Sequence, residues 1–430
     1  MALEKDLDKM VEEGVISFET SRSIRNWYEQ QQPSDNRRLT LLFGVLGVLL
    51  VVSGIMLVLA HNWDSFPLTV KTVWAFLPLV VGQVGVGYVL LKKRDKEWWR
   101  EISATWLALS IGGCIALISQ IYHLPGELPD FLLTWLLLGA ALIYLLPSQV
   151  VAVLFLAGSV WYATEAGYGY NSSLYAGYYF WGLLLWVLPF YRSLWVKKKD
   201  GFFARLFHFG FPAALLIGLG MHIGNSGYGW MWIAYASLLS IFYMLGTFIK
   251  SHSDHKISNG YYYSGMLGSL LLLFIGSFVD FRKELLREKS LLIIDGGQLA
   301  LVLAIILFLL ALSGFIYLFG VKKFTPFKPL AFSFVLFAAM IWMAHLSNGS
   351  AAIPANLYIL GLGVWVLVEG SRQKSFFRIN AGLGLIAILA ICRFFDTELS
   401  FVLRGLIFIT VGIGFALANY QMIQKKKTHA

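Results

Sequence analysis

The feature that most constrains this chain is a series of apolar runs, nearly free of charge and each about 17–22 residues long, recurring from Leu41 to Tyr420. Runs of that length cross the hydrocarbon core of a bilayer as helices, since a backbone in lipid must satisfy its own polar groups. They do not alternate in segments of about ten residues, as the strands of a membrane β-barrel do. The expected fold is all-α, a polytopic integral membrane protein with about 14 transmembrane helices. Composition agrees, at 58% hydrophobic and 13% charged residues, far from the balance of a soluble domain.

The expected spans lie near 41–60, 71–91, 104–121, 130–146, 149–163, 174–190, 205–222, 230–249, 262–279, 298–319, 329–346, 353–369, 379–394 and 401–420. Lys71, Arg282, Lys283, Arg287, Lys289, Arg393 and Arg404 then share one side, and the other 27 of the 34 Lys and Arg share the opposite one. Positive charge is retained inside, so both termini are expected in the cytoplasm. The joint at Pro147-Ser148 is a two-residue turn without charge. Fusing its flanking spans would put Lys197 to Lys199 outside, so two spans are expected there. The outer segment Asp280 to Gln298 carries four bases balanced by four carboxylates. Phe281, Leu285, Leu286 and Leu292 stripe it, as in an interfacial amphipathic helix. The net charge of +10 is thus mainly a topology signal. It implies no nucleic acid, and membrane lipids are the expected partners.

Residues 1–38 are expected to form a cytoplasmic N-terminal helical hairpin. Leu3, Leu7, Met10 and Val11 have helical spacing, Gly14 breaks it, and Ser17 can cap a second helix to about Gln31. This piece is too small to fold alone, so it is expected against the membrane surface or a protein partner. The transmembrane helical domain follows over 39–424, then a basic cytoplasmic tail over 425–430. Cys114 and Cys392 lie inside apolar runs and imply no disulfide framework.

Polar residues gather where spans end. His61, His123, His222 and His345 each close a span running outward, with Asp64 and Glu127 beside the first two. Asp130 and Glu165 are further outer carboxylates, and the other four histidines fall on the cytoplasmic side. Imidazole with carboxylate could relay protons or bind a transition metal. No H-x-x-x-H or H-E-x-x-H spacing is present, so no metal site is assigned. The plainer reading is interfacial histidines bonded to loop backbone or water. His222-Ile223-Gly224-Asn225 and His345-Leu346-Ser347-Asn348 share local grammar four spans apart, which suggests an internal repeat.

A second cluster is Arg393, Asp396, Glu398 and Arg404 at the last outer loop. Its charges could pair to close two helix ends, or the arginines could hold an anionic head group. No Asp, Glu, Lys or Arg occupies the centre of a span, and Gln83 is the clearest strong polar group at mid-depth. That counts against a proton-driven carrier. No phosphate-binding loop or redox-cofactor signature is present, so no cofactor is assigned. Aromatic residues at run ends, as at Tyr168 to Tyr179, fit interfacial belts. Tyr168, Tyr170, Tyr178 and Tyr179 could instead form a sugar- or lipid-stacking platform. Gly361/Gly363, Gly382/Gly384 and Gly412/Gly414 are read as sites of close helix packing.

Three segments carry a family resemblance: Gly14-Val15-Ile16-Ser17 in the hairpin, A-H-N-W-D-x-F-P from Ala60 to Pro67, and Ile118-Ser119-Gln120-Ile121-Tyr122-His123-Leu124-Pro125-Gly126-Glu127. Together they resemble the bacterial predicted membrane protein family of domain of unknown function twenty-one fifty-seven, over roughly the first third of the chain. R-F-F-D followed by L-R-G-L resembles the C-terminal end of longer relatives. The resemblance implies a bacterial cytoplasmic membrane protein and supplies no catalytic residue. His61 departs from the small or amide residue expected before Asn-Trp-Asp.

The leading expectation for function is transport or flipping of a small or lipid-linked envelope solute. The alternatives are a membrane-embedded enzyme acting on an envelope lipid or glycan at the outer face, and a non-catalytic assembly or sensor protein.

Overall fold

The computed structural model describes residues 7, 10–31, 63–168, 174–197, 201–223, 228–251, 259–278, 298–321, 329–346, 353–394 and 400, with 402, 405–406, 409–410 and 412–414. Among these the regular structure is entirely helical. The helices are α1 (Phe18–Gln31), α2 (Leu68–Tyr88), α3 (Glu97–Tyr122), α4 (Leu128–Gly139), α5 (Gln149–Gly167), α6 (Leu174–Lys197) and α7 (Phe202–Ile223). They continue as α8 (Tyr228–Ser251), α9 (Gly260–Gly276), α10 (Gln298–Phe315), α11 (Ser333–Leu346), α12 (Ile353–Arg372) and α13 (Phe376–Phe394).

Nine described segments are helices long and apolar enough to cross a membrane, and Gly260–Gly276 and Pro329–Met343 are shorter apolar helices. The all-α polytopic architecture expected from the apolar runs is the one found. Every expected span from 71–91 to 379–394 coincides with a described helix. The span at 41–60 and the amphipathic helix at 280–298 lie outside the described residues, apart from Gln298 at the start of α10. Only scattered residues of 401–420 are described.

Contacts divide the chain into two compact units, residues 1–76 and 77–430. In the first, Gly14 adopts a left-handed φ of 70°, which ends the preceding helical turn. Ser17 Oγ then accepts from the Thr20 amide at 3.2 Å, and α1 begins. The side-chain acceptor satisfies one of the amides that a helix start leaves bare. Further on, Trp63–Ser65 forms a 3-10 turn beneath the Lys71 ammonium, 5.9 Å from the Trp63 ring.

The second unit shows what binds helices when lipid removes most of the hydrophobic drive between them. Close packing and interhelical hydrogen bonds must do it. Phe180, Phe207, Phe242, Phe334 and Phe337, from α6, α7, α8 and α11, are fully buried. Val80, Val81 and Val84 of α2 remain exposed, as suits a surface that meets acyl chains. Indole N–H groups tie neighbouring helices. Trp106 donates to the Pro78 carbonyl at 3.0 Å, Trp135 to Ala108 at 2.7 Å and Trp186 to Ala140 at 3.1 Å. Gly112 makes the second bond possible, because a methyl there would stand 2.9 Å from the Trp135 ring.

The joint at Pro147-Ser148 is built around a carboxylate from α3. Glu101 accepts from the Ser148 hydroxyl and from the amides of Gln149 at 2.8 Å and Val150 at 3.1 Å. Ser148 in turn accepts from the Val151 amide at 3.2 Å. An anion thus sits at the positive end of α5 and takes up its bare amides.

Helices α12 and α13 form a tight hairpin. Lys374, at φ 52°, turns the chain, and the Ser375 amide returns to the Gly370 carbonyl at 2.9 Å. A methyl at Gly382 would lie 2.7 Å from the Leu367 nitrogen, and one at Gly363 would lie 2.7 Å from Ile386. Their sequence companions Gly384 and Gly361 face open space. Of the glycine pairs read as packing sites, one member of each of these two makes the close contact. Two helices leave α geometry at their ends. Val89–Lys93 after α2 and Ile316–Val321 after α10 are π-helical.

Candidate functional site

The C-terminal end of α7 reads Gly218-Leu219-Gly220-Met221-His222, and alternate positions serve different neighbours. Residues four apart share a helix face, whereas those two apart point nearly opposite ways. A Cβ at Gly218 would overlap the Phe180 ring of α6. Gly220 faces the Tyr168 and Tyr235 hydroxyls, which donate to the Ile217 carbonyl at 2.6 Å and the Leu216 carbonyl at 3.1 Å. His222 comes back to the α6 side, where its ring lies over Gly177 in space that a methyl would fill.

There the Trp181 indole N–H donates to His222 Nε2 at 2.7 Å, with the two rings 11° from parallel. An indole nitrogen can only donate, so Nε2 carries the lone pair and Nδ1 the proton. His222 is held as a neutral imidazole of one tautomer.

This pair borders a cavity of about 350 Å³ between α6, α7, α8 and α10. Leu215 and Leu219 of α7, Leu238 of α8 and Leu303 and Leu307 of α10 form apolar walls. Tyr178, 71% exposed on α6, and Ile306, 47% exposed on α10, are its most open lining residues. The mouth therefore faces sideways out of the bundle. The polar groups, His222, Trp181 and Tyr178, come from the C-terminal end of α7 and the N-terminal half of α6. The long apolar walls make the cavity amphipathic, of a size that small-molecule sites occupy.

The remaining sequence-assigned residues go to separate places. His123 is the left-handed C-cap of α3, its amide bonded to the Ser119 carbonyl. Glu127 is the N-cap of α4, in a capping box with Asp130. Asp64 is exposed in the 3-10 turn of the first unit. His345 lies in α11, but its side chain is outside the described residues, as is all of His61. Arg393 Nη2 donates to Ser277 Oγ at 3.2 Å and its guanidinium stands 5.0 Å from the Phe278 ring. Ser277 is the C-cap of α9, so this cation sits at the negative end of a helix. Asp396, Glu398 and Arg404 lie outside the described residues. Among those described, no three His, Cys, Asp or Glu side chains converge to hold a metal ion.

Sequence reasoning passed over another histidine of the same helix, this one buried. His208 of α7 is 6% exposed and shares a 2.7 Å hydrogen bond with the Tyr191 hydroxyl, which donates to Tyr261 at 3.1 Å. One hydroxyl has one proton, so His208 Nδ1–H is the donor to Tyr191. The Trp195 ring meets His208 edge-on and stacks on Tyr261. These hydrogen bonds knit α6, α7 and α9. Trp181 was legible only as one of many aromatics. The alternating Gly-x-Gly-x-His of α7 was the signal that a crowded, specific contact lay there.

Residues 8–152 match the family described as predicted membrane protein, DUF2157. That DUF2157 segment holds α1 to α4, the Glu101 carboxylate and the first turn of α5, in keeping with the motifs of the first third. It ends before α6, so the cavity lies in the part of the chain beyond DUF2157. The R-F-F-D and L-R-G-L stretch is also outside the match. No curated protein and no solved structure matched the chain.

Proposed function

We propose that the protein binds an amphipathic, lipid-linked envelope molecule in the lateral cavity and moves it between the leaflets of a bacterial cytoplasmic membrane, with both termini in the cytoplasm. The observation that carries this reading is the cavity itself, with apolar walls, a side opening and hydrogen-bonding groups gathered at His222. A water-soluble solute would gain little from such walls, whereas an acyl or prenyl chain entering sideways exchanges one apolar surrounding for another and exposes no methylene to water. Transport or flipping remains the leading reading over the two alternatives. The described cavity wall brings no carboxylate to His222, so an acid–base site for an enzyme lacks its second group. An assembly or sensor role has no comparable observation in its favour.

The test is a flip assay in proteoliposomes carrying a fluorescent lipid-linked reporter, with an impermeant quencher outside. The protein should bring the inner-leaflet reporter within reach of the quencher, and Ile306→Trp, which narrows the mouth, should slow it. Rates no faster than those of protein-free liposomes would reject movement of the reporter.

A further inference from the structure

We propose that the loop between α2 and α3 holds the phosphate of an anionic membrane lipid. The site is built by elements other than the four around the cavity, so it stands apart from the reading above.

The sequence supplies the charge. From Lys92 to Arg100 the chain reads K-K-R-D-K-E-W-W-R, five bases against two carboxylates. The positive-inside rule accounts for cations in such a loop, but it does not require them to be held in one shape. The folded loop does hold them. The Arg100 guanidinium donates through Nη1 to the Arg94 carbonyl at 2.7 Å, so one cation braces the turn from within α3. The carboxylates of α3 are drawn to the start of α5. Gln149 Nε2 donates to Glu97 at 2.7 Å, and Glu101 takes the hydrogen bonds described above. These bonds fix the first turns of α3, while Lys92, Arg94 and Lys96 stand exposed around the loop.

Depth supplies the lipid. Leu91, in the π-helical turn beside Lys92, is 86% exposed, so an apolar side chain suited to acyl chains adjoins a cation suited to water. Tyr88 closes α2, and Trp98 and Trp99 lie in the first turn of α3. The Trp99 ring lies 5.9 Å from that of Tyr88 and 4.6 Å from that of Trp98, and Trp98 is 54% exposed. Such rings settle at the level of the lipid head groups. A lipid lying along Leu91 and Trp98 therefore brings its phosphate to the height of the cations. Arg94 can take two phosphate oxygens at once, and the lysines add point charges. Basic clusters beside a membrane helix attract anionic lipids in this way. A free phosphate would meet the same charges but gain nothing from the apolar neighbours.

The experiment titrates the delipidated full chain in detergent with dioleoylphosphatidylglycerol or dioleoylphosphatidylcholine and counts retained lipid by native mass spectrometry. The anionic lipid should be retained at about tenfold lower concentration. Arg94→Gln with Lys96→Gln, both at exposed positions, should weaken its binding by about tenfold. The charge-keeping pair Arg94→Lys with Lys96→Arg should restore binding, which separates charge from any effect on folding. Removing the same two charges at the exposed α12–α13 turn, through Arg372→Gln with Lys374→Gln, should leave binding nearly unchanged. Excess glycerol phosphate should fail to displace the lipid. Equal retention of the two lipids, or equal loss from the two charge-removing pairs, would overturn the site. Displacement by glycerol phosphate at concentrations like those of the lipid would assign the loop to a soluble phosphate and overturn the lipid.

Discussion

The Glu101 carboxylate accepts the Gln149 backbone amide at 2.8 Å, joining one end of α3 to the first turn of α5 across 48 residues. With Ser148 and Val150 it makes three hydrogen bonds at a helix start, where a negative charge is favoured. Glu101→Gln keeps the shape but removes the charge and forces a donor among donors. Stability in detergent should fall by about 2–3 kcal/mol, read by thermal unfolding. Ser148→Ala should cost less, about 1 kcal/mol. The two losses should not add, since they share a site.

Trp181 and His222 should behave as a coupled pair. Interhelical hydrogen bonds in membranes contribute about 0.6 kcal/mol on average and up to ~1.7. Trp181→Phe and His222→Phe should each destabilise the protein by that order, and a double-mutant cycle should show most of the loss to be shared. Additive losses would mean that the bond contributes nothing. Gly177→Val should reproduce the His222→Phe phenotype, because the added side chain occupies the seat of the imidazole.

The α12–α13 hairpin offers a paired contrast. Gly382→Ala puts a methyl against the Leu367 backbone and should cost about 1–3 kcal/mol through overpacking. Gly384→Ala meets open space, so the better helix propensity of alanine should leave stability unchanged or raise it by up to ~1 kcal/mol. Thermal unfolding of the two variants side by side decides the matter.

Topology can be checked without a structure. Seven of the 34 Lys and Arg are assigned outside, a bias from which both termini and the segment around Lys198 are expected in the cytoplasm. A cysteine at Asn171 should react with an impermeant thiol reagent on intact cells, and one at Lys198 should not. Strong labelling at position 198 would refute the span count.

The helical spans were legible because length and apolarity are local properties, and lipid leaves a backbone few alternatives. Ser17 was likewise readable as a cap, since its partner amide is three residues away. Glu101 was not, because its partners lie 47 to 49 positions along the chain and nothing in Ser148-Gln149-Val150 points back to α3. The shared position of the histidines at span ends was visible, yet it could not separate their roles. His123 supplies a left-handed backbone turn, whereas His222 meets an indole and a cavity. Glu127 looked like a possible site carboxylate for a similar reason. A capping box and a binding site can use the same side chain at the same helix end, and only the partner distinguishes them.

The π-helical turns have a consequence for how chains of this kind can vary in length. A π turn holds one residue more than an α turn over the same advance. Removing one residue within Val89–Lys93 would return that stretch to α geometry while the flanking helix kept its faces. The same deletion in the middle of α2 would swing everything beyond it by about 100°, turning lipid-facing valines inward. Homologues of unequal length should therefore align with their single-residue gaps at Val89–Lys93 and Ile316–Val321, and a gap in mid-helix would mark an alignment error.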